Sequence, residues 1–261
     1  MANPLLLRET NDTVARLTLN RPDKFNALSE ELLAELKTAL SDIRDDDSVA
    51  AVILAANGKA FCAGHDLRQM RASHDGTYYQ NLFSSCSEVM QLIGQLPQPV
   101  IAEVQGIATA AGCQLVATCD LAIAAQSARF AVSGINLGLF CSTPSVALSR
   151  NMSRKRALEM LLTGDFIDAD TAADYGLVNR AVPDATLRKV TEELALKIAG
   201  KPLAARKVGK TMFYQQLSKD LSNAYAYSGN VMAGNMMDPE TVEHIDAFLE
   251  KRPVNSPGNK S

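Results

Sequence analysis

The sequence predicts an α/β fold with a helical C-terminal region. Short apolar runs alternate with amphipathic helical segments through the first half of the chain, and from Thr143 onward the pattern is almost wholly helical. No low-complexity linker separates the two parts. Alternating strands and helices are typical of a parallel sheet covered by helices. We therefore expect a core over residues 1–200 and a helical region with a flexible tail over 201–261, which is an appendage to the core.

The strands are predicted from short apolar runs and from one hairpin. Residues 4–19 form the hairpin, because "LLLRE" and "VARLTL" flank the turn-forming pair Asn11-Asp12. The first of the later strands is fully apolar and the others are mostly apolar, which is typical of buried strands. They are predicted over 49–56, 99–104, 121–125 and 129–132.

The helices are predicted from apolar periodicity and from residues that begin or end a helix. Ser29 can cap the first helix, Pro97 ends the second, and Gly164 ends the fourth. The predicted helices cover 29–46, 78–96, a stretch from about 110, 153–164, 168–177, 186–199 and a last stretch over 205–252. The tail after Arg252 contains prolines, glycine and asparagines, and we expect it to be disordered.

Composition and charge narrow the functional classes. The 261 residues carry a net charge of −3, which does not indicate binding to nucleic acid or to an anionic membrane surface. The apolar runs are too short to span a bilayer. Five cysteines in apolar contexts are typical of reduced thiols, and the N-terminal residues lack the character of a signal or transit peptide. These features predict a cytoplasmic protein.

Two loops share one design. "NGKAFCAGHDL" at 57–67 and "VQGIATAAGCQL" at 104–115 each leave the C-terminal end of a buried strand and open a helix. Such a place offers free peptide N–H groups, with the helix dipole behind them, to a developing negative charge. One such loop more often only allows close packing of a helix on a strand. Two of similar build favour a paired oxyanion site.

Other candidate motifs fail on inspection. "VGKT" at 208–211 resembles the end of a phosphate loop, but Ala204 stands where the first glycine belongs, and no strand precedes it. Cys62 and His65 have the spacing of metal ligands without a second pair, so we predict no metal site. The sequence contains no G-x-S-x-G motif of a serine hydrolase.

Five segments carry a resemblance to a known family: "LNRPDKFNALS" (19–29), "GKAFCAGHDL" (58–67), "GIATAAGCQLVATCDLAIA" (106–124), "LTGDFIDADTAADYGLVN" (162–179) and "AFLEKR" (247–252). In order and at family spacing, over about residues 4–252, they resemble the enoyl-CoA hydratase/isomerase (crotonase) superfamily. The resemblance implies a spiral of ββα units and a helical C-terminal region that builds homotrimers or hexamers as dimers of trimers. It also implies an acyl-CoA thioester as ligand and no cofactor beyond its CoA moiety.

The resemblance assigns roles to particular residues. The oxyanion donors fall on the peptide N–H groups of His65 and Ala111, where side-chain identity matters little. Lys251 falls where a neighbouring subunit can offer a cation to a CoA phosphate. The positions that line the CoA adenine and pantetheine in the family are Ala27, Ala63, Asp66, Leu67 and Arg68.

The chain departs from the family at both acid/base positions. Family hydratases use two glutamates, and these fall on Gln114 and Gly134. An amide cannot exchange protons at neutral pH and glycine has no side chain, so we expect an enoyl-CoA hydratase type of protein with weak or altered activity. Two alternatives stay open: another enolate-stabilising enzyme (a decarboxylase, isomerase or thioesterase) that uses Ser133, Cys141, Ser142 or a bound water, and a non-catalytic acyl-CoA binding protein.

Overall fold

The computed structural model describes residues 3–254, and the chain divides after Ala199 into two compact units. The first unit contains two β-sheets and the helices packed on them. The second unit, from Gly200, is helical.

The strands are short, and all belong to the first unit in the part of the chain described. They are β1 (Leu6–Asn11), β2 (Val14–Leu19), β3 (Ala51–Ala56), β4 (Ala60–Cys62), β5 (Val100–Val104), β6 (Ile107–Thr109), β7 (Leu121–Ala125), β8 (Arg129–Ala131), β9 (Ile167–Asp168) and β10 (Arg180–Val182).

The helices alternate with these strands and then continue alone. They are α1 (Glu30–Arg44), α2 (Leu67–Ala72), α3 (Gly76–Gln95), α4 (Ala111–Thr118), α5 (Ser142–Asn151), α6 (Arg154–Thr163), α7 (Ala169–Tyr175), α8 (Leu187–Ala199), α9 (Leu203–Gln216), α10 (Leu221–Met236) and α11 (Pro239–Leu249). A 3₁₀ helix over Ser133–Leu137 follows β8.

The chain winds between a larger and a smaller sheet. The larger sheet has the order β1–β2–β3–β5–β7–β10, with β1 antiparallel to β2 and the other neighbours parallel. The smaller sheet has the order β4–β6–β8–β9, in which β8 and β9 are antiparallel. In chain order, β3 and β4 are followed by a helical segment, and so are β5 and β6, and β7 and β8. In each of these units the first strand belongs to the larger sheet and the second to the smaller sheet. The predicted α/β spiral of ββα units is confirmed.

Local side-chain chemistry fixes several helix ends where the sequence predicts them. The Ser29 hydroxyl accepts a hydrogen bond from the Leu32 N–H at 3.3 Å and begins α1. The Asp168 carboxylate accepts one from the Thr171 N–H at 2.8 Å and begins α7. Gly164 ends α6 with a φ of 68°, a left-handed conformation that glycine adopts without a steric penalty.

The larger sheet is buried on both faces because successive side chains of a strand point to opposite sides. On β3, Val52 and Leu54 belong to the main core cluster, which includes α1 and α3. Ile53 faces the other way, into a cluster that includes Leu187 and Ala195 of α8. The fully apolar sequence of β3 follows from this double burial.

Four short strands and the last helices differ from the sequence-based prediction. β4 and β6 lie inside the two glycine-rich loops, and β9 and β10 interrupt the half predicted to be helical. Strands of two or three residues are too short to show a period of two, and each is held by pairing with residues distant in sequence. The last helical stretch consists of α9, α10 and α11. The sequence predicts disorder for the tail after Arg252, of which residues 255–261 lie outside the described residues.

Candidate active site

A cavity of about 540 Å³ lies beside the two glycine-rich loops. Residues of both loops, of α2 and α3, and of the segment after β8 line it. The lining is mostly apolar, with a few polar groups such as Arg71, Tyr79 and Ser133. This combination is typical of a small-molecule site.

The two glycine-rich loops lie directly against each other. A Cβ on Gly64 would lie 3.0 Å from the Ala110 Cβ and 3.3 Å from the Ala111 nitrogen, and Gly64 also has a φ of 92°. A Cβ on Gly112 would lie 2.0 Å from the Cys62 carbonyl oxygen. The small residues of the loops therefore do allow close packing, and this packing brings one loop onto the other.

The predicted oxyanion donors, His65 and Ala111, both line the cavity. Ala111 is the first residue of α4, so its N–H has no acceptor within the helix. Within residues 3–254, neither peptide N–H donates a hydrogen bond to another group of the chain. Ala110 has a φ of 50° and a ψ of −121°, which is strained for a residue with a Cβ and is common at functional sites.

The imidazole of His65 is buried in apolar surroundings. Within the described part of the chain, neither Nδ1 nor Nε2 makes a hydrogen bond of ordinary geometry, and the nearby Leu28 backbone only partly offsets the effect of burial on the pKa of the ring. The ring packs edge to face on Phe83, with centroids 5.4 Å apart. Burial lowers the pKa of His65 to about 4, so the ring is neutral at neutral pH.

The two positions predicted to correspond to the family glutamates, Gln114 and Gly134, lie in different surroundings. The Gln114 side chain is buried, its Oε1 has no hydrogen-bond partner within residues 3–254, and it is not among the residues that line the cavity. Gly134 does line the cavity. A Cβ there would lie 2.5 Å from the Leu139 carbonyl oxygen and 2.8 Å from the Cys141 sulfur, so neighbouring atoms already fill the space of a side chain.

The other candidate reactive groups surround Gly134. The Ser133 hydroxyl lies 2.8 Å from the Thr109 hydroxyl, and either can donate. The Cys141 thiol lies 3.5 Å from the Val132 carbonyl oxygen and donates to it. Burial raises the pKa of Cys141, so the thiol stays protonated at neutral pH. Ser133, Cys141 and Ser142 all line the cavity.

Among the predicted CoA-lining residues, Ala63 and Leu67 line the cavity. Ala27, Asp66 and Arg68 do not belong to its lining. Lys251 follows α11 in the second unit, with a φ of 54°, and its contact with CoA stays a prediction.

Asp66 has a structural role in this region. Its Oδ1 accepts hydrogen bonds from the N–H groups of Arg68 and Gln69 and so begins α2. Its Oδ2 pairs with Arg21 at 3.2 Å, and Arg21 also donates to the Ala27 carbonyl oxygen at 2.8 Å. These bonds hold the segment before α1 against the start of α2.

On α2 and α3, the sequence did not predict four of the residues that line the cavity: Met70, Arg71, Tyr79 and Phe83. Their spacing is a usable signal, since Met70 and Arg71 lie three and four positions after Leu67, and Phe83 lies four after Tyr79. Only the packing of α2 and α3 beside the loops decides which helix face meets the cavity.

Two further features concern the part of the chain described. Among residues 3–254, no helix combines the length and apolar composition needed to cross a bilayer, and no group of three or more His, Cys, Asp and Glu side chains is placed to hold a metal ion. The five cysteines are buried free thiols, and burial raises the pKa of Cys62, Cys86 and Cys113 to about 12.

Comparisons with known proteins give close relatives over nearly the whole chain. Human enoyl-CoA hydratase domain-containing protein 3, mitochondrial, is 43% identical over 92% of this chain and 80% of its own length. The short-chain-enoyl-CoA hydratase of Clostridium acetobutylicum is 31% identical over 95% of this chain and 96% of its own. The crystal structure of an enoyl-CoA hydratase from Mycobacterium smegmatis matches with a TM-score of 0.96 and 57% identity, over 97% of this chain and 99% of that one.

The predicted cytoplasmic location is wrong by this comparison. The human relative is named as mitochondrial, as are the frog and rat proteins of the same name. Reduced cysteines, on which the prediction depended, do not distinguish the cytosol from another reducing compartment.

The family itself follows from two findings. The segments "AAGCQLVATCD" (110–120) and "GLFCSTPSVAL" (138–148) resemble the domain-containing protein 3 group, and the identity to its human member agrees with this. The sequence profile described as Enoyl-CoA hydratase/isomerase matches residues 9–258. The chain belongs to the enoyl-CoA hydratase/isomerase family.

Proposed function

We propose that the chain binds an acyl-CoA thioester in the cavity and holds its carbonyl oxygen between the peptide N–H groups of His65 and Ala111. The observation that carries this proposal is a pair of N–H groups, on two adjoining loops at the cavity wall, that donate to no other group among residues 3–254. No cofactor beyond the CoA moiety of the ligand is required. The names of the relatives, enoyl-CoA hydratases, support the same ligand class.

Two peptide donors suit the chemistry of thioesters. When a bond forms or breaks next to the carbonyl, negative charge develops on its oxygen, and preorganised N–H groups stabilise that charge. Each such donor contributes on the order of 10²–10³ in rate. Enolate stabilisation is therefore the step that this site can perform with its own groups.

Hydration also requires proton transfers, for which the site lacks a group at either family position. Gln114 cannot exchange a proton and Gly134 has no side chain, so we propose a hydratase-type protein with weak water addition to 2-enoyl-CoA. The buried, protonated Cys141 thiol is a poor base. The paired hydroxyls of Ser133 and Thr109 can orient a water or a substrate group by hydrogen bonding. A binding protein without turnover is the second candidate, because no ionisable acid or base stands at the two family positions.

The first test separates a peptide donor from a side chain. Ala111→Pro removes one proposed donor at the first position of α4, where a helix tolerates proline. His65→Ala removes the imidazole and keeps the peptide N–H. We expect Ala111→Pro to weaken binding of acetyl-, butyryl- and crotonyl-CoA about tenfold and His65→Ala to change it much less, as measured by calorimetry.

Two further variants control for packing. Ala111→Gly keeps the N–H and removes the methyl group, so it should bind like the wild type. Leu221→Pro places proline at the first position of α10, on an exposed residue, and should leave binding unchanged. Thermal unfolding checks that each variant is folded. Absence of any acyl-CoA binding by the wild type would contradict the proposal. A larger loss of affinity in His65→Ala than in Ala111→Pro would show that the imidazole, and not the peptide N–H groups, binds the ligand.

We also propose that the chain forms a trimer or a dimer of trimers. The family resemblance supports this, and so do large exposed apolar side chains on the helices of the second unit, such as Tyr225, Met232 and Phe248. Exposed apolar surface of this kind often marks an interface. Light scattering should give three or six times the chain mass of 28.1 kDa. A monomer at micromolar concentration would contradict this, and with it the intersubunit role of Lys251.

A further inference from the structure

A positive charge stands on the otherwise mostly apolar wall of the cavity. Helix α2 presents Leu67, Met70 and Arg71 to the cavity, and Arg71 is exposed there. Within residues 3–254, Arg71 pairs with no carboxylate, and its recorded polar contact is from Nη1 to the His74 Nδ1 at 3.4 Å. A guanidinium with free donors on a cavity wall can receive an anionic group of a ligand.

Two further polar side chains stand beside Arg71. The Tyr79 hydroxyl lies 3.0 Å from the His74 Nδ1 and donates to the Met70 carbonyl oxygen at 3.1 Å. Tyr79 also lines the cavity. We call Arg71, His74 and Tyr79 the Arg71 corner.

The nearest acid in sequence, Asp75, forms no ion pair with Arg71 in the described part of the chain. The Asp75 carboxylate accepts a hydrogen bond from the Tyr78 N–H at 2.8 Å and begins α3. This carboxylate oxygen thus lies at the start of α3. Among residues 3–254, the Arg71 guanidinium contacts His74 and forms no ion pair with Asp75.

A row of aromatic rings leads from the proposed oxyanion donors to the corner. The His65 ring contacts Phe83 with centroids 5.4 Å apart, and Phe83 stacks on Tyr79 at 6.4 Å. Tyr79 in turn contacts His74 at 6.0 Å. Because Phe83, Tyr79 and Arg71 line the same cavity as His65, these rings give an acyl chain whose carbonyl lies at His65 an apolar path toward the Arg71 corner.

We propose that the Arg71 corner binds a carboxylate at the far end of the acyl group, so that the ligand is a CoA monothioester of a dicarboxylic acid. This inference rests on the proposed function, because it places the thioester carbonyl at His65 and Ala111. The guanidinium fork matches the two oxygens of a carboxylate. A neutral acyl end gains none of this attraction.

The test compares ligands that differ only at the far end of the acyl group. Succinyl-CoA is paired with butyryl-CoA, and glutaryl-CoA with valeryl-CoA, since each pair has the same number of carbons and differs by a carboxylate in place of a methyl group. Free CoA is the third arm. We expect calorimetry on the full chain to show that the wild type binds succinyl-CoA or glutaryl-CoA, whichever fits better, about tenfold more tightly than the neutral ligand of the same pair.

Substitutions at Arg71 test whether this residue causes the preference for a dicarboxylic ligand. Arg71→Met should abolish it while leaving the affinities for the neutral ligands and for free CoA unchanged. Arg71→Lys keeps the charge but lacks the planar guanidinium fork, so it should retain part of the preference for the dicarboxylic ligands. Arg154→Met is the matched control, because Arg154 is an exposed arginine at the start of α6 that does not line the cavity. It should retain the whole preference.

The outcomes that overturn the inference are distinct. If the wild type binds the dicarboxylic and the neutral ligand of each pair with equal affinity, the charge of Arg71 only stabilises the C-terminal end of α2. If Arg71→Met weakens the binding of free CoA as much as that of the dicarboxylic ligands, Arg71 contacts a CoA phosphate and not the acyl group. Failure of the wild type to bind any acyl-CoA overturns the proposed function as well, whereas tight binding of the neutral ligands without a preference overturns this inference alone.

Discussion

Purified wild-type protein is expected to hydrate crotonyl-CoA at least about a hundredfold more slowly than a family hydratase, because a positioned acid or base contributes on the order of 10²–10⁴ in rate. Both positions lack such a group, although losses at groups that act together do not simply multiply. The assay is the loss of the enoyl thioester absorbance, with the Clostridium acetobutylicum enzyme measured in parallel. Turnover equal to that enzyme would show that another group transfers the proton.

Substituting glutamate at these positions should recover little hydration. Gln114→Glu leaves the opposite position empty, and burial of the new carboxyl group raises its pKa. Gly134→Glu meets a steric obstacle, since its Cβ would lie 2.5 Å from the Leu139 carbonyl oxygen. The backbone of Gly134 is not left-handed, so the obstacle is space and not φ. We therefore expect Gly134→Glu, alone or with Gln114→Glu, to lower the melting temperature without restoring turnover.

Gly112→Ala is expected to lower the free energy of unfolding by about 3 kcal/mol or more and to abolish acyl-CoA binding. Its Cβ would lie 2.0 Å from the Cys62 carbonyl oxygen and 2.6 Å from the carbonyl carbon. These are backbone atoms, so no side-chain rotation relieves the clash. The start of α4 must then move away from β4. This movement separates the loops that carry the His65 and Ala111 N–H groups.

The matched control is Gly94→Ala in α3, where an added Cβ has no neighbour within 4 Å. Alanine in a helix is favoured over glycine by roughly 0.5–1 kcal/mol, so this variant should be slightly more stable than the wild type. Urea unfolding measures both variants, and calorimetry with butyryl-CoA measures binding. A Gly112→Ala protein as stable as the wild type would show that the two loops do not depend on this contact.

The sequence by itself determined the features that depend on local chemistry. Helix ends at Ser29 and Gly164 follow from a side-chain cap and from a left-handed glycine, which act within a few residues. The buried strand over β3 follows from a fully apolar run. The shared design of the two glycine-rich loops was also visible, because each is a continuous segment.

The tertiary structure decided the rest, because it depends on contacts between residues far apart in sequence. β4 and β6 exist only through pairing with each other and with β8. The packing of α4 keeps Gln114 out of the cavity lining, and the packing of α2 places Arg71 in it. Periodicity shows that a helix has an apolar face, but only the elements packed around it decide which side chains meet a cavity.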